Sequence, residues 1–341
     1  MLRTLLGTMT ATLAVGAAVQ AAITRRDRRR YPPPGVLVNV GGHRLHLDVQ
    51  GDDWGRPTVV LEAGMGSFSP NWHWVQRELA ATTRVVAYDR AGLGWSDPSP
   101  RPRDAGTIAD ELHAALAAAG VTGPYVLAGH SFGGLPVRAF ADRHPDEVVG
   151  LVLVDASHPD QWARWPTAHA ERILATAQRV TAALAWIGLL RVIDVSAPIA
   201  TGLPTRQVAE LRARSALPRT SVTEARQVAA WGTSRIQVNA ARPLGDLPLV
   251  VLSVTEQPRG GETLTQLQAE LPALSTNSSH RTIQGAGHES LVAAYDHAQH
   301  VIRAITDVLA SAERLTGPGS SPPPGDPATN SPRIPAPGPA G

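Results

Sequence analysis

The chain of 341 residues has no cysteine, so a disulfide framework, a cysteine-bound zinc, an iron–sulfur cluster and a thiol nucleophile are all excluded. Any nucleophile is something else. An excess of either charge is also lacking outside one short stretch. Residues 1–30 hold Arg3, Arg25, Arg26, Arg28, Arg29 and Arg30 against the single acid Asp27, whereas the remainder holds 25 arginines against 28 acids. The net charge of +2 therefore divides into a cluster of +5 and a body of −3. Polyanion binding needs positive charge spread along a face, so a nucleic-acid partner is excluded. What the chain does have is a composition 43% hydrophobic and 18% charged, which suits one large globular domain or two small ones and excludes a wholly disordered protein.

The two ends differ from the middle. Thr4 to Thr24 contains no charged residue and is followed by the arginine cluster. Its length matches the roughly 20 residues a helix needs to cross a bilayer. Residues 1–30 are therefore expected to form a membrane anchor, with positive charge on its C-terminal side leaving the body cytoplasmic. Cleavage near Val19-Gln20-Ala21 and export is the competing expectation. Residues 31–35, with Pro32, Pro33 and Pro34, are expected to act as a stiff spacer that holds the body away from this helix. Residues 316–341 carry nine prolines and no apolar periodicity, the composition of a disordered tail.

Between these ends, short apolar runs alternate with helical stretches, the pattern of a mostly parallel sheet flanked by helices, an α/β fold. Arg44–Gln50 alternates and is expected to be an antiparallel edge strand. Thr58–Glu62, Arg84–Tyr88, Tyr125–Gly129, Leu151–Val154, Leu249–Val254 and Arg281–Ile283 are expected to be buried strands. Thr107–Ala119, Leu135–Arg143 and Leu291–Leu309 carry helical periodicity. Residues 36–154 and 249–315 thus form a core. The intervening residues 155–248 have helical patterns and no strong strand, which predicts an inserted helical lid.

Gly129-His130-Ser131-Phe132-Gly133 follows a predicted strand and opens a predicted helix. In that context a G-x-S-x-G motif lifts its serine on a tight turn, because Gly129 and Gly133 leave room that larger side chains would fill. A serine hydroxyl needs a base, and Gly285-Ala286-Gly287-His288 supplies one in a glycine-rich loop after the last predicted strand. His280 precedes that strand, while His297 and His300 fall within the following helix, so His288 is the candidate.

The chain resembles the α/β-hydrolase superfamily, in the subgroup of the α/β hydrolase fold-1 domain. The resemblance rests on Leu61-Glu-Ala-Gly-Met-Gly66, on the Asp89-to-Asp97 loop with Arg90 and Trp95, on the Ser131 elbow, on Leu151-Val-Leu-Val-Asp155 and on the His288 loop. It covers about Val36 to Leu315. It implies an oxyanion hole made by the backbone N–H groups of Met65 and Phe132. It also implies an acid that orients His288. Some members place this acid after the strand that follows the nucleophile helix, where Asp155 stands; most place it after the penultimate strand, where Glu256 is the alternative. Arg90, Trp95 and Asp97 lie in the loop after the fourth strand near the pocket, where a turn of glycines stabilised by an arginine ion pair is expected rather than direct substrate contact, and His130 is expected to be a packed elbow residue.

By this resemblance the chain is a serine hydrolase acting on an ester or related acyl bond of a small, apolar substrate, with no cofactor and no metal. Carbon–carbon, lactone or amide hydrolysis and cofactor-free perhydrolysis are alternatives on the same fold. So is a catalytically silent, membrane-tethered binding protein. Serine at the elbow argues against epoxide hydrolase and dehalogenase chemistry, which in this superfamily uses an aspartate.

Overall fold

The computed structural model describes residues 2–165, 169–256 and 261–316. A helix, α1 (Leu2–Arg30), leads into strands β1 (Val36–Asn39), β2 (Arg44–Gln50) and β3 (Thr58–Glu62), helix α2 (His73–Leu79) and strand β4 (Val85–Asp89). Then come α3 (Ala105–Ala118), β5 (Tyr125–His130), α4 (Gly134–Arg143) and β6 (Val148–Val154). Four helices follow: α5 (Ala170–Trp186), α6 (Thr205–Ser215), α7 (Pro218–Ala229) and α8 (Trp231–Asn239). The described residues end with β7 (Leu249–Glu256), α9 (Gly261–Glu270), β8 (Ser278–Gly287), α10 (Ser290–Ala293) and α11 (Tyr295–Thr316).

The eight strands form one sheet in the order β1-β2-β4-β3-β5-β6-β7-β8. From β4 to β8 every pairing is parallel, and β1 and β2 are added antiparallel at one end. Because strand side chains alternate, each strand feeds two cores. Val60, Val86, Leu127 and Leu153 face α3 and α4 through Ile108, Leu112, Leu135 and Phe140. Val59, Val85, Val126 and Val152 face α2 and α11 through Val75, Leu79, Val301 and Ile305. Burial on both faces is what the continuous apolar runs of these strands require.

Three expectations change. Arg44–Gln50 is antiparallel but not at the edge, because β1 pairs along it; four residues behind a run of prolines are too few to show an alternation. Among the described residues no helix is long and apolar enough to cross a membrane. The anchor expected over residues 4–24 is therefore unsupported, since Thr4, Thr8, Thr10, Thr12 and Gln20 leave the stretch too polar. Nor do residues 31–35 hold α1 away. Gln20 Nε2 donates to the Ala216 carbonyl at 2.9 Å, and Arg191 donates to Gln20 and pairs with Asp27, so α1 lies on the α5–α6 region. Tyr31 then accepts through its carbonyl from Trp95 and Arg214. Of the tail expected over 316–341, all but Thr316 lies outside the described residues.

Candidate active site

Strand β5 ends at His130, and Ser131 follows with φ +54°, a left-handed conformation that a serine adopts at a cost of about 1–3 kcal/mol when its surroundings enforce it. The turn is too tight for side chains on either flank. A Cβ at Gly129 would lie 2.6 Å from the Gly133 carbonyl oxygen, and one at Gly133 would lie 2.5 Å from that of Glu62. The Ser131 hydroxyl is thus lifted at the C-terminal edge of the parallel sheet, where open α/β sheets bind ligands.

Two further strand ends deliver its neighbours. His288 follows β8, and its Nε2 lies 2.9 Å from Ser131 Oγ. Asp155 follows β6, is buried, and accepts a short hydrogen bond from His288 Nδ1. Its φ of +41° turns the chain away from the sheet so that the carboxylate points back at the imidazole. Burial alone would pull the His288 pKa down, but the hydrogen bond and charge of Asp155, with the charge of Glu289, bring it above the ordinary histidine value. A neutral His288 with its proton on Nδ1 presents a lone pair at Nε2 to the serine hydroxyl. The side chain of Glu256 lies outside the described residues; its backbone pairs with Gly287.

The loop after β3 faces the same point. A Cβ on Gly64 would stand 3.2 Å from Ser131 Cβ, so the Gly64–Met65 segment lies directly against the nucleophile. Arg90 fixes this segment. Its guanidinium, almost fully buried, pairs with Glu62, donates to the carbonyls of Ala63 and Gly64, and lies 5.3 Å over the Phe132 ring. Tyr88 donates to the other Glu62 oxygen. The arginine ion pair expected of the Asp89-to-Asp97 loop is made with Glu62, while Asp97 pairs with Arg44 at the surface. Sequence reading named Glu62 only as part of a motif; the signal that finds it is an acid at the end of a strand otherwise apolar on both faces.

His130 is packed, as expected of it. Its ring stands edge-on to Trp72, and burial together with the nearby His288 lowers its pKa to about 3. A carbonyl only accepts, so the 3.0 Å contact with the His288 backbone oxygen makes His130 a donor at Nε2. The other histidines are engaged elsewhere: His280 with Ser253, His297 with Ser290 and His300 with Arg303. Beside Ser131 and His288 a pocket of about 140 Å³ is bounded by Gln161, Trp165 and Leu264.

A buried parallel sheet carrying a serine elbow, with a histidine and an acid on later strand ends, defines an α/β hydrolase architecture. Residues 57–187 match the family model described as the alpha/beta hydrolase fold, and the chain has that fold. Among curated relatives, an "AB hydrolase superfamily protein" of Gibberella zeae is 37% identical over 132 residues, which are 36% of this chain and 41% of that protein. The Klebsiella pneumoniae protein called "Putative carbamate hydrolase RutD" is 37% identical over 113 residues, covering 33% of this chain and 42% of its own. The first relatives matched are spanned over less than half of their length, from 20% to 43%. Among solved structures, a thermophilic esterase from Thermogutta terrifontis superposes with a TM-score of 0.61 at 21% identity, over 81% of this chain and 98% of its own. An ancestral haloalkane dehalogenase gives 0.64 at 18% identity, over 82% and 99%. At these identities the structural likeness establishes the fold alone.

Proposed function

We propose that this chain is a serine hydrolase that cleaves an ester or related acyl bond through an acyl-enzyme. The observation that carries the reading is the continuous hydrogen-bonded line from Ser131 Oγ through both nitrogens of His288 to Asp155. In it, His288 Nε2 takes the Ser131 proton as Oγ attacks the substrate carbonyl. The Met65 and Phe132 amides receive the developing oxyanion on a loop that Arg90 keeps from shifting. His288 then returns the proton to the leaving group, and afterwards takes one from the water that attacks the acyl-enzyme. Asp155 orients the ring and stabilises the imidazolium, in preference to Glu256.

The helices α5–α8 act in this reading as a lid, and the small pocket beside Trp165 and Leu264 suits a short apolar acyl group. The esterase among proteins of similar fold and the carbamate hydrolase name among the relatives support acyl chemistry. The dehalogenases of similar fold are less close in chemistry, because the nucleophile here is a hydroxyl. A fluorophosphonate probe tests the proposal. Wild-type protein is expected to label and Ser131→Ala not to; a wild type that takes up no label, or a variant that labels equally, overturns it.

A further inference from the structure

Large apolar side chains left in water gather on one part of the molecule. Helix α1 turns the stripe of Gly16, Gln20, Ile23 and Asp27 inward and leaves Leu13, Val15 and Val19 exposed. It meets the end of α5 at Gly16, where a Cβ would lie 2.5 Å from the Ile187 carbonyl oxygen. Arg191 then pairs with Asp27 at 2.6 Å, which draws the turn Leu189–Arg191 along α1. Around this contact stand Trp186, 64% exposed, Val192, 79%, and Ile193, 53%. Helix α5 adds a stripe of its own. Its Ala175, Ala182 and Ala185 are buried, whereas Ile173, Ala177, Val180 and Ala183, at i, i+4, i+7 and i+10, face outward. Clustered aliphatic and indole surface of this kind marks an interaction site.

Charge separates in the same place. Arg25, Arg28, Arg29 and Arg30 close α1, and Arg172 and Arg179 flank the outward stripe of α5. All six are exposed, and among the described residues none is in an ion pair. Residues 12–30 and 169–230 together hold 13 arginines against 5 acids, although the whole chain stands at only +2. A second copy of the chain would set like charge against like charge on such a surface. A nucleic acid would leave the aliphatic side chains uncovered. An anionic bilayer suits both components: its headgroups attract the guanidinium groups, its acyl boundary takes the aliphatic side chains, and tryptophan is at home where the two meet.

We propose that α1 and the α5 region form a docking surface for the face of a bilayer that contains anionic lipid. The attachment is to one leaflet and needs no spanning helix. It enlists the inserted helical segment as well as the N-terminal helix, and it is independent of the reaction at Ser131.

The test is co-sedimentation of the full chain with vesicles of phosphatidylcholine alone and of phosphatidylcholine mixed with phosphatidylglycerol. Wild type is expected to partition at least about tenfold more strongly onto the anionic vesicles. That advantage is expected to vanish as salt rises from about 0.1 M to about 1 M, where the screening length falls from about 10 Å to about 3 Å. Val192→Glu combined with Ile193→Glu, at two exposed positions outside α1, is expected to cut the partition by about tenfold or more with the thermal melt unchanged. Brominated lipid is expected to quench wild-type tryptophan emission more than that of Trp186→Phe. No binding to either vesicle, equal binding to both at low salt, or binding that the double variant leaves unchanged overturns the proposal. So does a dimer in size-exclusion chromatography that the double variant abolishes while neither vesicle is bound, which would assign the surface to a second copy.

Discussion

His130 donates from Nε2 to the backbone carbonyl of His288 at 3.0 Å, so the residue before the nucleophile holds the loop that carries the base. Serine and base thereby share one support, although they are 157 positions apart in the chain. A misplacement of an ångström at such a site costs about 100-fold in rate. His130→Ala is expected to lower kcat by about 10- to 100-fold with little change in KM. Because the His130 pKa is near 3, the neutral limb of the pH–rate profile is expected to stay in place; a shift of that limb would show that His130 titrates with the reaction.

For the acid, Asp155→Asn is expected to cut kcat by about 10⁴-fold and Glu256→Gln to leave it near wild type. The pH dependence gives a second measure. A base acts unprotonated, so kcat/KM rises as pH passes the His288 pKa. Asp155 raises that pKa, which places the rise at higher pH than for an ordinary histidine. In Asp155→Asn the residual activity is expected to rise at lower pH than in wild type. A rise left unmoved would remove Asp155 as the partner.

Removing Arg90 leaves Glu62 buried without its cation and frees two loop carbonyls. Loss of one partner of a buried pair costs about 3–5 kcal/mol. Arg90→Ala is expected to lose stability of that order in urea denaturation. Arg90→Met, which fills the volume but not the charge, is expected to do no better unless Glu62→Gln accompanies it. Full recovery by Arg90→Met alone would show that packing, not charge, holds the loop.

Glu224 of α7, half-buried against Gly66 and bonded to Gln178, links burial to stability. Burial raises its folded pKa from the ordinary glutamate range to about 7, so between those values the folded protein holds a proton there that the unfolded chain has released. Stability is therefore greatest below about pH 4.5 and falls as pH rises towards 7. Glu224→Gln does not titrate, and its stability relative to wild type is expected to grow across that window, by on the order of 2 kcal/mol at its upper end. Thermal melts of both proteins at about pH 5 and pH 8 check this; a difference that stays constant with pH would show that the carboxyl is not desolvated.

The parallel sheet was legible because each of its strands is short, apolar and bounded by breakers, and the elbow because glycine is required on both sides of Ser131. His288 was legible from its glycine-rich loop. Asp155 and Glu256 were not separable from sequence, since each ends a strand and only the fold brings the Asp155 carboxylate to His288. Glu224 was invisible for a different reason. It is a single acid on an amphipathic helix with no motif around it, and only the docking of α7 onto Gly66 brings it against the loop after β3. The N-terminal helix misled because the absence of charge resembles hydrophobicity, while its threonines and Gln20 are polar enough for it to settle on the protein surface.

Arg90 grips the Ala63 and Gly64 carbonyls from a neighbouring strand, so the course of that loop is dictated by atoms every residue possesses. Side-chain identity at position 65 is thereby decoupled from where its amide points. Evolution, or an engineer, has a dial at Met65 that alters the contour of the pocket wall while the geometry of the amide stays put.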